Sequence, residues 1–418
     1  MLNGGGGLNP DGLSLDLQFA ADKTLTARRG PTPTFTRASS GTFVGSNGLI
    51  QSAATNIPRF DHTSAGVCRG LLIEESGTNS CLQSENFGTT WSSVNLNQTG
   101  TPPYLNVATS PDGATTADKL IATTANAIHQ FRQDVTLVGG ASYTISVYFK
   151  AAETNFATIS VVGIANGSVD WVAYFNISAS SPAVGQFNGF ASTSLVDVGN
   201  GWRRCSVTFT ATASGNLNVR FGGASSANLN SNFYAGDGTS GFLLWGAQIE
   251  AGSFATSYIP TTTGIVVRSV DMCSIASISS FYAGLGTILV GSQFNHLTTG
   301  LLGVCGFNTS NTFQICVNRL QNNTRGFTFG ATPAVTLNSA SNLPSTTFVK
   351  SAFAFNTNDA AFVNNGVIGA TSTSLTLPSV TQFQIGSNGG QPMQSGVISE
   401  IRYYRKRLPN AKLQSLTA

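Results

Sequence analysis

The chain has 418 residues, and only 9% are charged: 21 Lys plus Arg against 18 Asp plus Glu, for a net charge of +3. A soluble domain ordinarily carries about 25% charge. The deficit excludes disorder, which needs high net charge and low hydrophobicity, long helices and coiled coils, which need charged helix formers in bulk, and nucleic-acid binding through clustered Lys and Arg.

Residues 1–85 read as an irregular, anchoring segment. They hold the Gly4–Gly7 run, Arg28-Arg29, Pro31 and Pro33, and they end in Arg69-Gly-Leu-Leu-Ile-Glu-Glu-Ser76, one strand followed by a polar stretch. The opening MLNGGGGLNPDGLSLDL lacks a charged stretch leading into an apolar core, so no secretory leader is expected. No apolar run approaches the roughly 18 residues of a membrane helix, so no membrane insertion is expected.

Residues 86–262 carry the densest strand signals and all four tryptophans. In Tyr143-Thr-Ile-Ser-Val-Tyr-Phe149, Tyr143, Ile145, Val147 and Phe149 share one face and Thr144, Ser146 and Tyr148 the other. That period of two marks an antiparallel strand with one buried face. Cys205-Ser-Val-Thr-Phe-Thr-Ala211 and Leu217-Asn-Val-Arg-Phe221 are further strands, and Asn166-Gly167 and Asp237-Gly238 are turns.

The Pro/Thr-rich Tyr258-Ile-Pro-Thr-Thr-Thr-Gly264 reads as a boundary, and residues 263–418 form a second strand-rich unit. Asn364-Asn-Gly366 between two apolar runs predicts a tight hairpin, and Asn410–Leu416 a short terminal helix. The expected fold is all-β: tandem antiparallel β-sandwiches of jelly-roll type after the irregular N-terminal segment. Of the six cysteines, none forms a CxxC or a zinc spacing. They read as buried thiols, with a Cys305–Cys316 bridge across a hairpin as the alternative.

Several motifs occur in a fixed order. They are Phe35-Thr-Arg-Ala-Ser39, Pro58-Arg-Phe-Asp61, Gly70-Leu-Leu-Ile-Glu-Glu-Ser-Gly-Thr-Asn79, Leu82-Gln-Ser-Glu-Asn-Phe87, Trp91 and Ala114-Thr-Thr-Ala-Asp-Lys-Leu120. Tyr143–Lys150, Gly201-Trp-Arg-Arg204, Trp245-Gly-Ala-Gln-Ile-Glu250 and Thr256-Ser-Tyr-Ile-Pro-Thr261 follow. Together they resemble bacteriophage virion appendage proteins of head- and tail-fibre type, whose modules look like carbohydrate-binding jelly rolls. Phe383-Gln-Ile-Gly386 and Gly396-Val-Ile-Ser-Glu-Ile-Arg-Tyr-Tyr404 are similar to concanavalin A-like or laminin-G-like domains. The first resemblance covers about residues 13–262 and the second about 275–418; with the zones above, the expected parts are residues 1–85 as an anchoring segment, 86–262 as a carbohydrate-binding-like jelly roll and 263–418 as a concanavalin A-like or laminin-G-like sandwich.

Catalytic signals are sparse. His62, His129 and His296 fall in three different zones, and no GxSxG, HExxH or phosphate loop occurs. A glycosidase needs two carboxyls facing across a groove; Glu74, Glu75, Asp134, Glu153, Asp170, Asp237, Glu250 and Glu400 are the candidates. Glu250 and Glu400 sit in strands, where binding to backbone amides or a basic partner is the simpler role. Calcium could bind loop carboxylates such as Asp237 and Asp359, but these stand alone in sequence, so no metal and no cofactor is expected. Sugar binding is easier to reconcile, because aromatic faces stack on sugar rings. Trp171, Tyr174, Tyr234 and Asp237 are the candidate glycan-binding residues; Phe233 adjoins them, while Trp202 and Trp245 belong to the core. The basic group Arg402, Arg405, Lys406 and Arg407 is either a docking patch or a solvated strand end.

The expected protein is a non-enzymatic virion structural protein, a surface appendage that presents its sandwiches for host glycan adsorption or particle stabilisation. Its expected partners are other virion proteins, further copies of itself (a trimer by analogy with phage fibres) and host surface polysaccharide. The alternatives are a polysaccharide depolymerase of a phage tail and a bacterial extracellular adhesin.

Overall fold

A computed structural model describes residues 12–97, 104–296, 302–310, 313–320, 323–329, 334–340, 346–387 and 395–418. The Gly4–Gly7 run lies outside the described residues. Among them the chain is all-β, with antiparallel sheets that stack into two sandwiches.

The first sandwich faces a six-stranded sheet against a five-stranded one. The six-stranded sheet runs Ala183–Phe187, Trp171–Asn176, Phe156–Gly163, Gly215–Gly223, Gln130–Leu137, Ser92–Val94. The five-stranded sheet runs Ser192–Gly199, Trp202–Thr210, Ser142–Ala151, Gly241–Ala251, Asp118–Ile121. Alternation explains the core between them. Ile145, Val147 and Phe149 from one sheet meet Phe131, Val135, Val219 and Phe221 from the other, all buried. The opposite face of Ser142–Ala151 is buried as well, which a period of two does not predict. Tyr148 packs edge-on against Trp245 and Tyr258 there, and Trp202 and Trp245 are buried in the same cluster.

The second sandwich draws on both ends of the chain. Its larger sheet runs Val367–Ser372, Asp359–Asn364, Val349–Asn356, Gly286–Phe294, Ser395–Tyr404, Cys68–Glu74, Arg59–His62, with Leu13–Leu17 also paired to Ser395–Tyr404. Its smaller sheet begins with Thr34–Thr36 on Met272–Ile275 and continues through Gln382–Ile385 to Leu302–Ser310 and beyond. One core joins Leu15, Leu17, Phe35, Leu71 and Ile73 to Phe294, Phe307, Phe353 and Tyr403. Residues 13–79, which read as largely irregular, therefore supply strands to the unit that the sequence placed at 263–418. Their strands are only three to seven residues long, and Leu13–Leu17, Thr34–Thr36 and Cys68–Glu74 each pair with a strand more than 200 residues away.

The first sandwich is thus inserted into the second. The chain leaves through Gly77–Asn79 and returns through Val266–Arg268, and these two strands pair with Asn79 opposite Val266. The predicted hairpin forms at Asn365-Gly366, both at positive φ (45° and 76°), as a two-residue turn of this type requires. The terminal helix spans Asn410–Thr417 and buries Leu413 against the larger sheet.

A closed ionic cluster sits at the junction. Arg59 pairs with Glu74 at 2.7 Å and with Asp271, Arg37 pairs with Asp271 at 3.2 Å, and Arg268 lies 3.6 Å from Glu74. None of these five side chains is more than 1% exposed. Ser257, just past the inserted sandwich, donates to Glu74 from both its backbone N–H (2.8 Å) and its hydroxyl (2.6 Å). The six cysteines are thiols. Cys305 lies opposite Val317 and Cys316 opposite Gly306, so their side chains point to opposite faces of the sheet, which rules out the alternative bridge.

Candidate functional site

The outward face of the six-stranded sheet carries a built polar row. In Phe131-Arg-Gln-Asp-Val-Thr-Leu137, Phe131, Val135 and Leu137 enter the core, which turns Arg132, Asp134 and Thr136 to solvent. In the neighbouring strand Leu217, Val219 and Phe221 enter the core, which turns Asn216, Asn218 and Arg220 to the same side. Register sets Arg132 opposite Arg220, Asp134 opposite Asn218 and Thr136 opposite Asn216.

Side-chain hydrogen bonds link the row. Thr136 Oγ1 donates to Asn216 Oδ1 at 2.8 Å, Asn218 Nδ2 to Asp134 Oδ1 at 2.7 Å, and Arg220 Nε to Asn218 Oδ1 at 2.7 Å. Arg220 Nη1 reaches Asp170 Oδ1 at 3.3 Å. Burial lowers the Arg220 guanidinium from its ordinary value, Asp170 opposes the shift, and the facing Arg132 adds to it. Burial raises the Asp170 carboxyl, against the pull of Arg220. Beside the row lies an open depression of about 590 Å³, lined by Leu82, Thr90, Ser92, Arg132, Asp134 and Asn218. Carboxylate and amide oxygens that accept stand next to guanidinium and amide N–H groups that donate, the pattern that vicinal hydroxyls match.

The four sequence candidates do not form one surface. Trp171 and Tyr174 lie on opposite faces of the Trp171–Asn176 strand. Trp171 turns inward and packs edge-on against Phe190 and Phe209. Gly189, at φ +73°, covers its indole, where a Cβ would come within 2.1 Å of the ring. Tyr174 points outward but is 1% exposed; its hydroxyl donates to Asn232 Oδ1 at 2.9 Å and accepts from Asn230 N–H at 3.0 Å, which seats a loop over the ring. Neither ring offers an open stacking face.

Tyr234 lies on a two-stranded ribbon, where its ring meets His129 edge-on at 4.7 Å and its hydroxyl fills the space over Gly223. Burial pushes this phenol up to about 12. Asp237 is exposed and caps its own turn: it accepts from the N–H groups of Thr239 (2.8 Å) and Ser240 (2.7 Å) and from the Ser240 hydroxyl (2.5 Å). These bonds hold its carboxyl well below the ordinary range.

Other candidates are committed elsewhere. Glu250 accepts from Thr256 and Gln248, and Glu400 pairs with Arg402 and Lys350. Asp359 pairs with Arg407 at 3.0 Å, and Arg405 donates to the carbonyls of Ser280 and Phe281. Most of the C-terminal basic group is therefore tied into the strand end. No group of three or more His, Cys, Asp or Glu side chains with metal-binding spacing occurs among the described residues.

No protein-family model matches the chain, and no curated protein does. Several solved structures are similar at low sequence identity. The CBM40 of the Ruminococcus gnavus IT-sialidase is 14% identical over 33% of this chain and 84% of its own, with a TM-score of 0.27. Domains LG4-5 of the mouse laminin α1 chain are 6% identical over 74% of this chain and 95% of their own, with a TM-score of 0.25. A Trypanosoma rangeli sialidase is 10% identical over 93% of this chain and 98% of its own, with a TM-score of 0.29. These likenesses concern β-sandwich layout, and nothing in them points to a bacteriophage. They do correct one expectation. The chain was expected to be non-enzymatic, and a sialidase, a glycoside hydrolase, stands among its structural likenesses.

Proposed function

We propose that the chain binds glycans through the outward face of its six-stranded sheet. The observation that carries this reading is the linked row Asp170–Arg220–Asn218–Asp134 beside an open depression. A row of this kind holds donors and acceptors at fixed spacing before any ligand arrives, which reduces the entropy cost of binding. The fibre-type motifs support a virion setting, in which the chain assembles with further copies of itself and with other virion proteins and meets host surface polysaccharide.

The test is glycan capture by labelled protein on an array of bacterial surface oligosaccharides. Capture that Asn218→Ala reduces at least tenfold, with the melting temperature unchanged, supports the reading; capture unaffected by changes on this face overturns it. Mass spectrometry of purified particles tests the virion setting, and absence of the chain from them rejects it.

A further inference from the structure

We infer that the glycan is acidic, carrying a carboxylate or sulfate that two arginines grip together; this rests on the glycan-binding reading above. Arg132 and Arg220 are direct cross-strand partners on the same face. Side chains so placed have Cβ atoms roughly 5 Å apart, and like charges there repel. The two arginines are not equivalent. Arg220 is held by Asp170 and by Asn218. Arg132 is exposed, lines the depression, and makes no ion pair or side-chain hydrogen bond among the described residues.

The nearest acid on the same strand face, Asp134, does not relieve it, because Asp134 Oδ1 is engaged by Asn218. The sheet thus presents one guanidinium fork without a partner beside a second that is already oriented. A guanidinium matches carboxylate and sulfate bidentately, and an anion between the two would remove their repulsion. Neutral hydroxyls would be served by Asp134 and Asn218 and would leave the repulsion in place.

The experiment uses the full chain on an array that pairs uronate-, sialate- and sulfate-bearing oligosaccharides with their neutral counterparts. Binding is expected to concentrate on the acidic members and to weaken between 50 and 500 mM salt, an order-of-magnitude range over which exposed charges become screened. Arg132→Gln should lower acidic binding at least tenfold and leave neutral binding and the melting temperature unchanged. The split between carboxylate and sulfate members identifies which anion is held. Neutral binding that dominates, resists Arg132→Gln and is lost in Asn218→Ala overturns the acidic inference while the glycan reading stands. No binding to any member overturns both.

Discussion

Arg59 Nη1 donates to Glu74 Oε2 at 2.7 Å where neither side chain is more than 1% exposed. Glu74 ends a strand of the outer sandwich, and its carboxylate also accepts from Ser395 of that sandwich and from Ser257, on the path back from the inserted one. The pair therefore sits where the two sandwiches meet.

That placement predicts an acid response. Burial alone would raise the Glu74 carboxyl, but Arg268, Arg59 and Ser257 hold it down to about 2, against 4.5 for an unperturbed group. A carboxyl depressed in the folded state contributes stability that is fully present above the unfolded value and is lost as pH falls toward the folded one. Denaturant titrations should show stability falling between pH 4.5 and about 2, by up to about 3 kcal/mol from this group. Glu74→Gln should flatten that slope.

Asp118 should act in the opposite sense. It is fully buried and accepts only backbone N–H groups, from Phe87 and Asn106, at 2.8 Å each. Burial raises it to about 6 despite those bonds. A carboxyl raised in the folded state stabilises most below its unfolded value, and the contribution is lost as pH rises through the folded one. Stability of the inserted sandwich should therefore decline between about pH 4 and pH 6 relative to Asp118→Asn, by up to about 3 kcal/mol. All four tryptophans lie in residues 86–262, so intrinsic fluorescence isolates this unit.

Removing one partner of a buried ion pair strands the other, whereas a surface pair contributes little. Arg59→Met leaves Glu74 and Asp271 each short of a partner and should cost about 3–5 kcal/mol. Lys119→Met breaks a pair at 2.7 Å whose Glu153 side chain is 52% exposed, and should cost less than about 1 kcal/mol. Chemical unfolding of both variants measures the contrast.

The strands were legible where alternation was clean and partners were near. Ser142–Ala151, Trp202–Thr210 and the Asn365-Gly366 hairpin follow from period and turn chemistry. The path of the chain was not legible, because pairing such as Leu13 with Tyr404 leaves no local signal. The polar row was within reach: alternation in Phe131–Leu137 and Leu217–Phe221 already puts Arg132, Asp134, Asn218 and Arg220 outward. What sequence could not supply was the register that sets arginine opposite arginine. It also misjudged Tyr174, since residues 225–232, which fold over that ring, carry no sign that they do so.

Trp171 and Asn218 should therefore separate stability from binding. The Trp171 indole packs against Phe190 and Phe209 under Gly189. Trp171→Ala opens a cavity at the edge of the core and should cost about 3 kcal/mol, read as a lower midpoint in the fluorescence-free far-UV melt. Below that midpoint glycan capture should be intact, because the indole does not face the polar row. Asn218 lies on the other side of the sheet, where its amide joins Asp134 to Arg220. Asn218→Ala removes one exposed and one part-buried hydrogen bond and should cost about 1 kcal/mol while releasing both neighbours to move independently, so capture should fall with the fold unchanged. If Trp171→Ala instead abolished capture at full stability, the indole would be the stacking platform and the polar row would not be the site.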